Sequence, residues 1–338
     1  MKKTCYKKYW IPFCLLLLFV TIYTLFLPLP LQHRYEYRSV VWVECRYCFA
    51  LSTDGSDSLF FSGTRPDSSL SNLSLKQQNA EVLNAAEGFW YCPLNLFHLS
   101  GNRILTSSRT TCPDTILPYL QSHIKLSLHL SEKRLKSRTN LQNNLLSHLR
   151  SYIHSHDVYD EGYNQVAKYK DQHATTSAML KQINEVIQTL LKADTVKVSF
   201  LPVYTYRYVK QDETFSEPFS CLRKKIRTDH RVTELTPSNQ LDHLGTISLG
   251  YPIINLMRFT SEERKKDIIL FALNVCTPPK TFTSIKVSRI EGRAWHEINK
   301  FSYFSSLPVL NCAVGAPVVD RRGVLIGLAD INGIVPIK

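Results

Sequence analysis

The alternation of hydrophobic and polar positions changes character several times along the chain. Trp10 to Leu31 contains no charged residue at all. Val40 to Leu51 is β-branched and aromatic, which predicts a strand. Ser52 to Lys76 is polar, apart from the short apolar piece Leu59-Phe60-Phe61. Gly88 to Thr106 reads as two strands around the turn Ser100-Gly101-Asn102. From about Ile116 to Lys192 the period becomes helical. Leu141, Leu145, Leu149, Tyr152 and Ile153 recur at helical spacing, and Met179, Leu180, Ile183, Val186, Ile187, Leu190 and Leu191 form an apolar stripe. Such a stripe predicts a packing face. Val196 to Val209 alternates as a strand. Short strand-like runs follow at Thr246–Leu249, Asp267–Leu273 and Val318–Leu328. The order is β, a helical insertion, then β, with no internal repeat.

The uncharged run is close to the ~20 residues that cross a bilayer as a helix. Lys2, Lys3, Lys7 and Lys8 precede it with no acid among them, and no small-x-small cleavage pattern follows. This predicts a type II signal anchor over residues 10–31, a cytosolic tail over 1–9, and a lumenal or extracellular remainder. Pro28 and Pro30 shorten the helix that could span, so secretion after signal cleavage stands as the alternative.

Composition adds limits rather than an identity. At 338 residues, 44% hydrophobic and 20% charged, the chain is globular, not wholly disordered or collagen-like. The net charge of +13 falls to +9 without the tail. In a secretory compartment this argues against nucleic acid and leaves an anionic glycan, a lipid headgroup or a solvated basic surface. Arg223-Lys224-Lys225-Ile226-Arg227 is the densest basic run. Seven cysteines follow the anchor: Cys45, Cys48, Cys92, Cys112, Cys221, Cys276 and Cys312. An oxidising compartment favours pairing, with at least one left over. Cys45-Arg-Tyr-Cys48 has no second pair of similar spacing, so no zinc site or other metal site is expected, and no cofactor. Asn72-Leu73-Ser74 is the glycosylation signal.

Near the C-terminus, Cys312-Ala313-Val314-Gly315-Ala316-Pro317-Val318-Val319 is followed by Gly323 and Gly327. The segment resembles the nucleophile region of trypsin-like serine proteases, G-D-S-G-G-P-L-V followed by G-x-L-x-G-I. Arg103-Ile104-Leu105-Thr106-Ser107-Ser108-Arg109 resembles the strand and turn W-V-L-T-A-A-H that delivers the family's histidine. Asp267–Leu273 looks like D-I-A-L-L-K-L, which carries its aspartate. The resemblance implies a mainly β, two-barrel trypsin-like fold with a helical insertion, preceded by a transmembrane helix. It also implies a triad degenerate at Arg109 and Val314, with only Asp267 retained.

Valine offers no group to attack a carbonyl, and arginine stays protonated and cannot act as a base. Cys312 stands two residues from the nucleophile position, and moving it there would break the match at Gly323 and Gly327. The resemblance further implies a Cys92–Cys112 bridge around Arg109; pairing of Cys92 with Cys45 or Cys48 is the alternative.

The expected organisation is therefore a strand-containing linker over 32–86, the first part of the trypsin-like domain over 87–114, a helical insertion with a strand over 115–235, and the remainder of the domain over 236–338. The expected function is that of a membrane-tethered, inactive protease homologue that binds a protein partner, such as an active protease or its substrate. The alternatives are a type II Golgi or ER lumenal enzyme such as a transferase, whose nearest acidic motif is Asp54-Gly55-Ser56-Asp57, and an unrelated adhesion domain. For topology, an N-terminal tag should persist on the mature protein, and endoglycosidase should sharpen its gel mobility in a way that Asn72→Gln abolishes. Loss of the tag would indicate cleavage instead.

Overall fold

A computed structural model describes residues 12–18, 40–53, 56–91, 103–111, 113–210, 212–227, 231–238, 265–274, 284–296, 303–305, 313–320, 325–331 and 333–337. The chain divides into two units: residues 1–45, 84–113 and 203–338 form the first, and residues 46–83 and 114–202 the second.

The first unit is β. Its leading strands are β1 (Val40–Thr53), β5 (Val82–Tyr91), β6 (Arg103–Ser107), β7 (Lys197–Tyr208), β8 (Phe219–Arg227) and β9 (Val232–Pro237); β1 continues into the second unit, and β5 and β7 begin in it. They lie in the order β1-β5-β6-β9-β8-β7, and β7 also pairs with β1. A second set closes into a six-stranded barrel: β10 (Lys265–Leu273), β11 (Val287–His296), β12 (Tyr303–Ser305), β13 (Pro317–Asp320), β14 (Leu325–Asp330) and β15 (Gly333–Pro336). Its order is β10-β11-β12-β15-β14-β13, with β13 back on β10 through Ile268↔Asp320 and Leu270↔Val318. Ranked along the chain, both sets run first, second, third, sixth, fifth, fourth. Returning the last strand to the first removes the exposed edges that an open sheet would present.

Apolar side chains from both sets share cores. Phe89, Tyr91, Leu105 and Val232 pack with Leu325, Leu328, Val335 and Ile337. Val40 and Trp42 pack with Ile269, Phe271, Leu273 and Val319.

The second unit is mainly helical. α1 (Leu117–Ser155) and α2 (Tyr163–Lys192) form a hairpin turned by seven residues. β2 (Ser56–Phe61) pairs with the end of β1, and β3 (Gly63–Thr64) pairs with β4 (Leu70–Ser71). Phe49 stacks on Phe61 at 5.3 Å and meets Phe200 at 5.4 Å. Two polar hooks fasten α1 to these strands. The Gln121 amide donates to the Val196 carbonyl at 2.7 Å and accepts from the Val198 N–H at 2.8 Å, standing in for a neighbouring strand. The Leu70 N–H donates to Ser131 Oγ at 2.8 Å, deep in the packed face.

Several expectations need correction. Within the expected strand-containing linker over 32–86, β1 is a near-continuously buried strand and so part of the folded core. The insertion does not run to 235: its helices end at Lys192, and β7, β8 and β9 follow. The run read as one strand over Val318–Leu328 is two strands, β13 and β14. Among the described residues, no helix is long and apolar enough to cross a membrane; residues 12–18 are helical, and the rest of the expected anchor lies outside the described residues. So do Cys92, Cys112, Cys276 and Cys312. Cys45 and Cys48 are both buried in β1. Three residues apart on a strand, they point to opposite faces.

Phe89 is fully buried in the core shared by the two sets of strands. Phe89→Ala should lower stability by about 3–5 kcal/mol, read from chemical denaturation midpoints at constant slope. A loss below ~1 kcal/mol would mean that this core does not hold the strands together.

Candidate functional site

β5 is apolar along its buried half except at Glu87, which has no exposed surface. The residue touches three other segments. Its N–H donates to the Val314 carbonyl at 2.9 Å. Its own carbonyl accepts from Thr106 Oγ1, on β6, at 2.6 Å. Its carboxyl oxygens receive the Leu273 N–H, at the end of β10, at 3.1 and 3.0 Å. Burial pushes the Glu87 carboxyl well above the usual glutamate range, and the single backbone donor from Leu273 only partly opposes it. The side chain is accordingly held as a neutral acid at pH values where an exposed glutamate is charged.

The Val314 turn is shaped to this contact. Ala313 to Val319 are all buried, and the Ala316 N–H closes the turn on the Ala313 carbonyl at 3.0 Å. Gly315 is left-handed, with φ +96°, and a Cβ there would run into the Glu87 carbonyl oxygen. Its N–H donates to the Ala329 carbonyl at 2.8 Å, and the Ala329 N–H returns to the Ala316 carbonyl at 2.8 Å. Only glycine combines that backbone with that closeness.

Beyond Thr106, β6 ends in a buried hydroxyl cluster and a four-residue helical turn, Ser108–Thr111. Ser108 Oγ lies 2.9 Å from Thr233 Oγ1, and Thr111 Oγ1 donates to the Ser107 carbonyl at 2.6 Å. The Ser108 N–H donates to the Arg231 carbonyl at 2.9 Å, beside the start of β9. Arg109 is exposed on this turn, its N–H directed to Ser107 Oγ at 3.3 Å.

Of the three sequence-derived positions, two are tied to one residue. Val314 bonds Glu87 directly, and Arg109 stands three residues beyond Thr106, which also bonds Glu87. Asp267 is placed differently. It pairs in register with Arg293 on β11, and its carboxylate lies 3.4 Å from Arg293 Nε at a partly exposed site. It precedes Leu273 by six residues, roughly 20 Å back along an extended strand from the Glu87 contact. The segment alongside Ser108 begins with Arg231, which the sequence reading had put in the insertion.

Glu87 itself was missed, although a lone acid between Ala86 and Gly88 in an apolar strand is a signal. Asn72 is exposed, while Ser74 of the same signal is buried and paired with the Phe60 backbone. Among the described residues, no cluster of His, Cys, Asp and Glu could hold a metal ion. Among the described residues, the Val314 turn brings an aliphatic side chain against buried Glu87 and the Thr106 hydroxyl.

Fold and site together define a mainly β protein with a closed six-stranded barrel and a helical insertion. No protein-family model matches the chain. No curated protein matches it either. Among solved structures it is similar to the MamO protease domain from Magnetospirillum magneticum in its apo form, at 12% identity and a TM-score of 0.28, over 40% of this chain and 72% of that one.

Two outcomes test the site. Gly315→Ala should cost more than ~2 kcal/mol, from left-handed strain plus the clash with Glu87, as measured by denaturation. Glu87 binds its proton more tightly folded than unfolded, so its contribution to stability is complete below about pH 4.5 and declines as pH rises through the raised folded value. Glu87→Gln should remove that decline from a profile of stability against pH. An unchanged slope would show that Glu87 is not the titrating group.

Proposed function

We propose that this chain is a trypsin-like double barrel that has lost its chemistry and acts by binding a protein partner, tethered to a membrane by its N-terminal anchor. The carrying observation is the strand order. Two six-strand sets follow the same first-second-third-sixth-fifth-fourth course, and the segments resembling the protease's histidine and serine regions both contact Glu87, Thr106 within the first set and Val314 from the turn that leads into the second. That is the arrangement expected of a protease whose working residues sit between paired barrels.

The residues at those places support loss of activity. Val314 is 1% exposed, and its side chain has no nucleophilic atom. Arg109 is a permanent cation where a proton acceptor is required. Asp267, set against Arg293, is not needed for this reading. A surface that once held an extended peptide, or the helical hairpin, would supply the binding face.

A fluorophosphonate probe should leave the purified protein unlabelled under conditions that label an active serine protease. Labelling that disappears on substitution of one serine would overturn the proposal.

A further inference from the structure

α1 is much longer than its own packing requires. Its buried residues run from Leu120 to Leu135, with Leu146 alone beyond, and those of α2 run from Ser177 to Leu190. Farther out, polar pairs join the two helices: His173 Nδ1 with Gln142 Oε1 at 2.8 Å, and Ser177 Oγ donating to Asn143 Oδ1 at 2.9 Å. Flanking that packed face, α1 carries a line of leucines with Arg134, Ser137 and Asn144 among them. Leu126 (54% exposed), half-buried Leu130, Leu141 (67%) and Leu145 (39%) fall within an arc of about 100° at helical spacing.

Charge is divided along the same hairpin. Residues 125–138 hold Lys125, Lys133, Arg134, Lys136 and Arg138 and one acid, Glu132; Lys136 engages Glu132 at 2.6 Å and Arg134 engages Asp67 at 3.0 Å, which leaves the root net basic. The tip, residues 157–161, holds Asp157, Asp160 and Glu161 and no cation. It is a built turn. The Asp160 N–H donates to the Asp157 carbonyl at 3.0 Å, and the Asp157 N–H donates to Asp160 Oδ2 at 2.8 Å. The turn holds out Val158 (57% exposed) and Tyr159 (96%). Leu141 and Leu145 lie midway, roughly 25 Å along the helix from Leu126 on one side and from the tip on the other.

We propose that two copies of this chain associate through α1, side by side and antiparallel. Leu141 and Leu145 straddle the two-fold axis, and the Val158–Tyr159 tip of each copy rests on Leu126 and Leu130 of the other. The pattern is self-complementary under a two-fold rotation: apolar centre on apolar centre, and acidic tip on basic root, twice. A parallel pair would set like charges together and leave both tips uncovered. The inference rests on the hairpin alone and stands apart from the trypsin-like reading.

Native mass spectrometry of the full chain, with a thiol reductant present, should give a species at twice 38.9 kDa. Raising the salt should weaken it. Leu141→Glu with Leu145→Glu should raise the dissociation constant more than ~10-fold, about 1.4 kcal/mol, with an unchanged far-ultraviolet spectrum, because both side chains are exposed. In the otherwise unaltered chain, p-benzoylphenylalanine in place of Tyr159 should cross-link to residues around Leu126–Leu130 of the second copy. This readout keeps the proposal testable if the double variant misfolds. A monomer at about 50 μM, a dimer indifferent to the leucine substitutions, or cross-links joining tip to tip would each overturn it.

Discussion

The β unit is tied together at one buried carboxyl group whose charged form burial disfavours. Glu87 is fully buried, and through one residue β5 holds the Val314 turn, β6 and the end of β10. Desolvation makes the charged form costly and pushes the carboxyl well above the usual glutamate range, while its oxygens accept the Leu273 N–H. The Val314 turn must approach Glu87 closely, and that closeness fixes glycine at 315. Around Glu87 the cores are apolar and shared by both sets of strands, so the turn and the two sets are stabilised together.

The helical unit is held by a different kind of contact. The side chain of Gln121 completes a strand's hydrogen bonding, and Ser131 supplies an acceptor for the Leu70 N–H inside the packed face. Each satisfies a backbone group that would otherwise be buried unpaired, which makes the first half of α1 specific in register as well as apolar. The outer half thins its apolar contact to buried Leu146 with half-buried Leu149 and Ile153. Its polar pairs align the two helices, and it leaves leucines facing outward.

Much of the fold was legible where burial leaves a period in the sequence. β1, β7 and β10 and the two helices all stand where their apolar repeats predict them. β8 and β9 were not legible. β8 carries Arg223, Lys225 and Arg227, and a register shift between Arg223 and Lys225 interrupts its alternation, so it reads as a basic surface run. β11 is likewise obscured by Arg289, Glu291, Gly292 and Arg293. At the candidate site, Val314 and Arg109 could be singled out from flanking residues. Glu87 could not be given a role, since nothing local says what a buried acid meets.

By itself the sequence determined the alternation of β, helical and β stretches, the charge-free N-terminal run, and the absence of a nucleophile at Val314 and of a base at Arg109. These are properties of side-chain chemistry and local period, which need no distant partner. Only the tertiary structure decided the strand order of the two sets, the gathering of Val314, Thr106 and Leu273 on Glu87, and the setting of Asp267 against Arg293. Those depend on contacts between residues up to 227 positions apart, Glu87 to Val314, and hydrophobic pattern carries no record of which strand a given edge will find.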